Sequence, residues 1–368
     1  MPVASTASPA PERSLAIAQA RRELIHGESP RTRTTACIEA GRRPQQRVSF
    51  DPVSQSAGLD VAERNRVLVE AARPVIERLS RAIADTRYFA ILTDADGIVV
   101  DVGNLPDGTD AASRYARDIG RVGVDLSESA IGTSAIGTAL AEHESVWLHR
   151  GEHFFDDTSV YSCAGAPLFG PRGDCIGMLD LTGVQVVERP ELRHLATLSA
   201  RSIENMLVLR EPCELLLRLA WPGSTASEAT EGLLCIDGEG YVTGANAAAR
   251  QMLHQPLARN EHALHFNDLF ALPLHMMFDA ARRGDAMLEV PLWSGLRVQV
   301  QPQRGGRGTP GLPAADVRPR LRDVETALIR KAVADARGNV AEAARALGIS
   351  RATVYRKLWR GRPAGAPD

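Results

Sequence analysis

Three groups of side chains in this sequence of 368 residues have the types and spacing that chemistry uses. The string His149-Arg150-Gly151-Glu152-His153 has the H-x-x-E-H order in which, on a helix, two imidazoles and a carboxylate converge on zinc. Its setting is wrong for that: residues 145–149 read as a strand, Gly151 interrupts a helix, and no third ligand follows, so no metal is expected. Cys163 and Cys175 fall in two neighbouring strand patterns and have the chemistry of a redox pair, although a cytosolic cysteine is more often a small buried hydrophobe. The run 132–140, GTSAIGTAL, lacks the Gly-Lys-Ser/Thr ending of a phosphate loop. Both lysines of the chain lie near its end, Lys331 before Ala332 and Lys357 before Leu358, so no lysine is left to meet a nucleotide's phosphates. These residues predict no cofactor and no catalytic group.

The third group lies at 321–360. Leu321, Val324, Leu328, Ala332 and Ala336 recur at helical spacing, and Gly338 stops that helix. Asn339 is placed to cap a short second helix over 340–347, Gly348 supplies a turn, and Ser350 is placed to cap a third. In the third, Val354 and Leu358 point inward, which leaves Arg351, Thr353, Arg356 and Lys357 on the outer face. This is the order of a helix-turn-helix with a recognition helix, and its partner is double-stranded DNA. Between Arg318 and Arg362 twelve basic residues stand against four acidic ones. That surplus of eight, in a chain of net charge −2, leaves −10 on the rest, so positive charge is gathered where phosphate contact requires it.

The length predicts two to three domains, and 44% hydrophobic content suffices for ordinary cores. No apolar run approaches a membrane span and the N-terminus has no secretory h-region, so a cytoplasmic protein without membrane contact is expected. Five cysteines without a C-x-x-C pair argue against a disulfide framework or a zinc knuckle. Residues 1–58 carry little pattern. From 60 to 85 apolar residues return at helical spacing, with Pro74 expected to kink or divide the helix. The stretch 88–103 reads as a hairpin across a D-x-D-G turn, further strands are predicted at 145–149, 160–168 and 175–181, and a helix at 190–209 closes the domain. Residues 231–253 read as strand, D-G-E-G turn, strand and an Asn-capped helix. Helical turns follow over 266–282, then strands at 286–291 and 296–302. A Gly/Pro-rich linker leads to the last unit.

The segment G-N-(x4)-A-A-(x2)-L-G-I-S-R-x-T-V-Y-R-K-L resembles the Fis-type helix-turn-helix of bacterial regulators, which implies DNA contact by Asn339, Ser350, Arg351, Thr353, Tyr355, Arg356 and Lys357. Residues 126–155 and 162–183 resemble the GAF-type sensor of acetoin-catabolism-type regulators, with Ser134 where that family usually has Asn. The resemblance implies a small-molecule effector, a small carbonyl or hydroxy compound being first on trial, near Ser134, Trp147, His153, Phe154, Tyr161 and Cys163. Residues 231–253 resemble the opening of a PAS domain. The expected fold is therefore α+β and multidomain. Residues 1–58 form an N-terminal region, 59–211 a GAF-like antiparallel sheet with flanking helices, 212–303 a smaller PAS-like unit, 304–319 a linker, and 320–362 an all-α helix-turn-helix. Many relatives of this kind place an ATPase between sensor and helix-turn-helix, and here the intervening residues are too few for one. The reading is a ligand-responsive, sequence-specific transcription regulator without ATPase activity, a homodimer on two half-sites, acting on RNA polymerase. The alternatives are a cysteine-based GAF-type reductase with an accessory DNA-binding tail, and a structural nucleoid-binding protein.

Overall fold

The computed structural model describes Gln19, residues 43–223, 230–254, 264–284 and 287–305, and the single positions Val340, Ala344 and Arg351. The chain divides into two compact units, Met1–Thr309 and Pro310–Asp368. The first is mixed α and β, built on two five-stranded antiparallel sheets. Among the described residues no helix is long and apolar enough to cross a membrane.

The first sheet has the order β2-β1-β5-β4-β3, with β1 Tyr88–Asp94, β2 Val99–Gly103, β3 Val146–His149, β4 Tyr161–Phe169 and β5 Cys175–Val184. The expected β1–β2 hairpin is present: Asp94 Oδ1 accepts the N–H groups of Asp96 and Ile98 while Gly97 takes a left-handed φ of 84°. One sheet face carries Ala90, Leu92, Ala164, Leu179 and Leu181 against the helices α2 Arg66–Ile83 and α6 Leu192–Val208. The other carries Phe89, Ile91, Cys163 and Met178 beneath three helices, α3 Ala111–Ile119, α4 Glu128–Ile131 and α5 Ala135–Glu142. Residues ahead of the sensor expected from 59 onward join this layer as well. Val48 and Phe50 pack on it, and the Asp156 N–H donates to the Pro44 carbonyl.

Pro74 does not divide its helix. The break falls at Asn65, between α1 Gln55–Arg64 and α2, and α2 runs unbroken through the proline. Proline at this position removes the donor that the Glu70 carbonyl would receive, four residues back. The Arg210 guanidinium, just beyond α6, donates to that carbonyl at 3.2 Å, so a side chain distant in sequence supplies the missing bond.

The second sheet has the order β8-β7-β6-β10-β9, with β6 Leu215–Ala220, β7 Gly232–Ile236, β8 Val242–Ala245, β9 Leu288–Pro291 and β10 Arg297–Arg304. Asp237 repeats the device of Asp94, with Oδ1 accepting from Glu239, Gly240 and Tyr241. Asn246 caps α7, Ala247–Leu253, as its sequence position suggests. β6 corrects the sequence expectation: it lies at the sheet centre, between β7 and β10, although no turn signal announces it. Its Leu215, Leu217 and Leu219 are buried on one face and Leu216 and Arg218 half-buried on the other. The core below is closed by α8 Phe266–Leu269 and α9 Leu274–Arg283.

Arg210→Ala should lower stability by about 0.5–1.5 kcal/mol, the ordinary value of one hydrogen bond. The loss should shrink when Pro74→Ala restores the helix's own donor, as urea unfolding of the four species in the double-mutant cycle would measure.

Candidate functional site

The sheet face under α3, α4 and α5 is apolar except for a short polar row. The register places Thr182 beside Phe89 and Cys163, and Asp180 beside Ile91 and Gly165. Asp180 is 0% exposed, one carboxylate oxygen accepts the Thr182 hydroxyl, and the other, Oδ1, is buried without a hydrogen-bond partner. Burial lifts its pKa to about 6, held down partly by the Thr182 hydroxyl and by the adjacent Cys163 thiol. The Cys163 thiol is pushed well up by burial and by the Asp180 charge, and its sulfur lies 3.8 Å from Thr182 Oγ1. Such a thiol is a poor source of thiolate.

The sequence singled out six residues for a ligand, and the fold does not collect them. Tyr161 and Cys163 lie on the α3–α5 face, Tyr161 donating from its hydroxyl to the Tyr115 carbonyl at 3.1 Å. Trp147 pairs with Ala164, so it sits on the opposite face, packed on the cluster that meets α2 and α6. Ser134 is used as the N-cap of α5, accepting from Gly137 N–H at 3.2 Å. Phe154 stacks edge-on with Phe155 in a small cluster of its own beside Val48. His153 is 3% exposed and directs Nδ1 to the Arg150 carbonyl at 2.9 Å. Of the remaining members of the H-x-x-E-H string, His149 Nδ1 meets Ser162 Oγ at 2.7 Å and Glu152 accepts the His149 backbone N–H. Imidazoles and carboxylate thus serve three different local bonds. Cys163 and Cys175 sit seven rungs apart on the β4–β5 ladder, since Cys163 pairs with Thr182 and Cys175 with Phe169. At roughly 3.3 Å per residue that is about 23 Å, far beyond disulfide reach.

Asp180 and Thr182 escaped sequence reading because alternation inside a strand buried on both faces is hidden: every residue of β5 from Gly177 to Val184 is buried. The signal available was the D-x-T pair in an otherwise apolar run. A cleft of 720 Å³ lies elsewhere, rimmed by Arg64, Asp94, Asp174, Cys175, Arg210 and Glu211. Burial pushes up two carboxylates there, Asp94 and Glu211; Asp94 already holds two backbone N–H groups, and the Arg172 charge partly offsets the rise at Glu211.

A second buried carboxylate links the two sheets. Glu204 on α6 is 3% exposed and accepts the Phe169 N–H at 2.9 Å. Burial raises its pKa to about 7, with the Phe169 N–H and the Arg250 guanidinium pulling the other way. Next to it Asn205 Oδ1 accepts from Asn246 Nδ2 at 2.7 Å, and Arg250 of α7 reaches the Gly170 carbonyl at 3.4 Å.

Of the residues expected on DNA, Arg351 is described: it is helical and exposed. Asn339, Ser350, Thr353, Tyr355, Arg356 and Lys357 lie outside the described residues. Val340 and Ala344 are helical, within the second helix expected over 340–347, and Ala344 is 3% exposed.

Two segments of the chain match known family models. Residues 320–360 match the family model described as bacterial regulatory protein, Fis family, and residues 41–205 match that of the MimR N-terminal domain. The chain thus joins a segment similar to the Fis-family model to one similar to the MimR N-terminal domain. Among curated relatives, a signal-transduction and transcriptional-control protein of Clostridium beijerinckii is 29% identical over 53% of this chain and 30% of its own length. The acetoin catabolism regulatory protein of Cupriavidus necator is 32% identical over 53% of this chain and 30% of its own. A propane 2-monooxygenase operon transcriptional activator, MimR, of Mycolicibacterium smegmatis is 30% identical over 38% and 24%. The chain therefore spans less than a third of the length of these relatives.

The raised carboxylates give stability a definite pH dependence. A Glu204 that titrates near 7 when folded and 4.5 when not binds its proton more tightly in the folded chain, so stability falls as pH rises between those values and levels off above about 7. Asp180 adds the same sign over a lower window, up to about 6. Urea midpoints taken at pH 5 and pH 7.5 should show the wild type weaker at the higher pH, by at most about 1.4 kcal/mol per unit for each group. Glu204→Gln, which keeps an acceptor for Phe169, should flatten that slope without abolishing it.

Proposed function

We propose that this chain is a ligand-responsive, sequence-specific DNA-binding transcription regulator, with a GAF-like sensor as its first sheet domain, a PAS-like second and a Fis-type helix-turn-helix as the DNA reader. The observation that carries it is the union in one chain of the MimR-type domain at 41–205 with the Fis-family segment at 320–360. The surplus of eight positive charges between Arg318 and Arg362, around the latter, supplies the phosphate attraction that DNA binding needs. The curated relatives bear names of transcriptional control, which supports the same assignment. One recognition helix covers a few base pairs, so the chain acts as a homodimer whose two-fold axis matches two half-sites. With both lysines inside the Fis-type segment, it works by occupying DNA and recruiting or blocking RNA polymerase rather than by hydrolysing ATP.

The reductase reading has less support. Its nucleophile would be Cys163, whose thiol is buried and pushed away from ionisation, and Cys175 lies too far off to resolve it.

The test is a pair of substitutions that separate base reading from phosphate contact. Arg351→Ala should cost about 1–3 kcal/mol on the specific duplex and relax sequence preference. Lys357→Ala should weaken every duplex alike and reduce the slope of log affinity against log salt by about one. Fluorescence anisotropy over a salt series reads both, and indifference to both substitutions would remove the DNA assignment.

A further inference from the structure

Among the described cysteines, Cys213 and Cys235 share one small cluster in the second sheet. Cys235 is 0% exposed on β7, pairs with Leu216 of β6, and lies with Leu233 against Val208, the last residue of α6. A regular strand would send Cys213 to the face of Leu215 and Leu217, away from Cys235. The chain instead bends at Glu214, whose N–H donates to the Ile236 carbonyl at 3.0 Å, and Cys213 packs half-buried on the Cys235 cluster. Gly305, just past β10, closes the other side. Its N–H donates to the Glu214 carbonyl at 2.9 Å, and a methyl group built on it would overlap the Cys213 carbonyl and come within 2.8 Å of Cys213 Sγ. Only glycine fits so close to that thiol without a shift of backbone.

The two sulfurs differ in the way that thiol oxidation uses. Cys213 sits between the exposed Pro212 and Glu214, and the neighbouring Cys235 thiol holds its pKa below the ordinary value, against burial and the Glu211 and Glu214 charges. Cys235 is pushed up by Cys213 and by burial, and it donates its hydrogen to the Val208 carbonyl at 3.4 Å. We propose that Cys213 and Cys235 form an oxidation site for a hydroperoxide, Cys213 being the sulfur that reacts first and Cys235 the sulfur that resolves it to a disulfide. The Cys213 thiolate attacks one peroxide oxygen: the O–O bond breaks, an S–O bond forms, and the sulfur gives up two electrons. The departing alkoxide or hydroxide takes a proton from solvent, replacing the one Cys213 released. The Cys235 sulfur then attacks the sulfenic acid, an S–S bond replaces the S–O bond, and the Cys235 proton leaves with the hydroxyl as water. That proton is the one given to Val208, so oxidation removes a tie between β7 and the end of α6. Cys213 must also turn from Gly305 toward Cys235, at the point where the sequence leaves the second sheet for the Fis-type segment. Hydroperoxide is thereby an input of its own, separate from any ligand of the first sheet.

The experiment exposes the reduced full chain to hydrogen peroxide, blocks the remaining thiols with maleimide under denaturing conditions and maps the digest by mass spectrometry. Two of the five thiols should be lost and then recovered with dithiothreitol, the Cys213 and Cys235 peptides being joined within one chain. A bond from either of them to Cys37, Cys163 or Cys175, or to a second copy of the chain, overturns the proposal. So does a Cys213 carried on to sulfinic acid while Cys235 stays free. Cys235→Ser should leave a sulfenic acid on Cys213 that dimedone captures, and Cys213→Ser should leave Cys235 unmodified over the same exposure; the reverse order of reactivity overturns the roles. Phenylarsine oxide, which bridges neighbouring thiols, should shield both cysteines of the wild type from maleimide, and shielding of neither overturns the pairing. If the serine variants do not fold, the wild-type digest and the arsenical decide. In the oxidised chain the Gly305 and Glu211 amides, held by the Glu214 and Val208 carbonyls, should lose protection from hydrogen exchange. Unchanged protection at both overturns the link from the disulfide to α6 and β10.

Discussion

The Glu204 carboxylate stays buried between the two sheets only because donors from separate parts of the chain meet on it: the N–H of Phe169 at the end of β4, the N–H of Ala247 at the start of α7, and the charge of Arg250. Helix α6, which carries it, thus serves two cores. Ala196, Ala200, Ile203 and Leu207 pack into the first sheet's inner cluster, and Val208 packs with Leu233 and Cys235 of the second. The Asn205–Asn246 bond joins the same helix to the residue that caps α7. Buried polar groups tolerate little misplacement, since a partner moved out of range leaves an uncompensated charge. A change in the first sheet that shifts α6 must therefore be met by the second. Both sheets fall within one compact unit, and this network is the physical reason they respond together.

Much of this architecture is legible in the sequence, wherever one residue dictates its own surroundings. The Asp94 and Asp237 turns, the Asn246 cap and the strands on either side of them follow from side chains that bond their own backbone within a few residues. Reading fails where the partner is remote. Pro74 looks like a helix break because nothing local replaces its donor, and Arg210, distant in sequence, does so. β6 is hidden because its neighbours in the sheet are β7 and β10, the latter some eighty residues later, as the pairing of Leu219 with Val300 records. The six ligand candidates were chosen by type and nearness in sequence. Strand alternation then sends Trp147 and Cys163 to opposite faces, while Ser134 is absorbed by a helix cap. Residue types pointed to one domain; which of its two sheet faces each candidate occupies needs the register.

That register also explains why Asp180 and Glu204, both fully enclosed, mean different things. Glu204 has donors from two backbone sites and an arginine, and the bonds it makes hold two sheets in place, so its burial has a structural return. Asp180 has the Thr182 hydroxyl, the neighbouring Cys163 thiol and an oxygen with no bond at all. Asparagine at this position would keep the bond from Thr182 without a charge to desolvate, and valine beside Ile91 and Phe89 would keep the core apolar. For the fold alone, then, a carboxylate is the costlier choice by the desolvation of an ion, several kcal/mol before relaxation. Thr93, Ser162 and Thr182 are buried in the same sheet, but each is a neutral hydroxyl with a hydrogen bond, so Asp180 is the position where local consistency is given up.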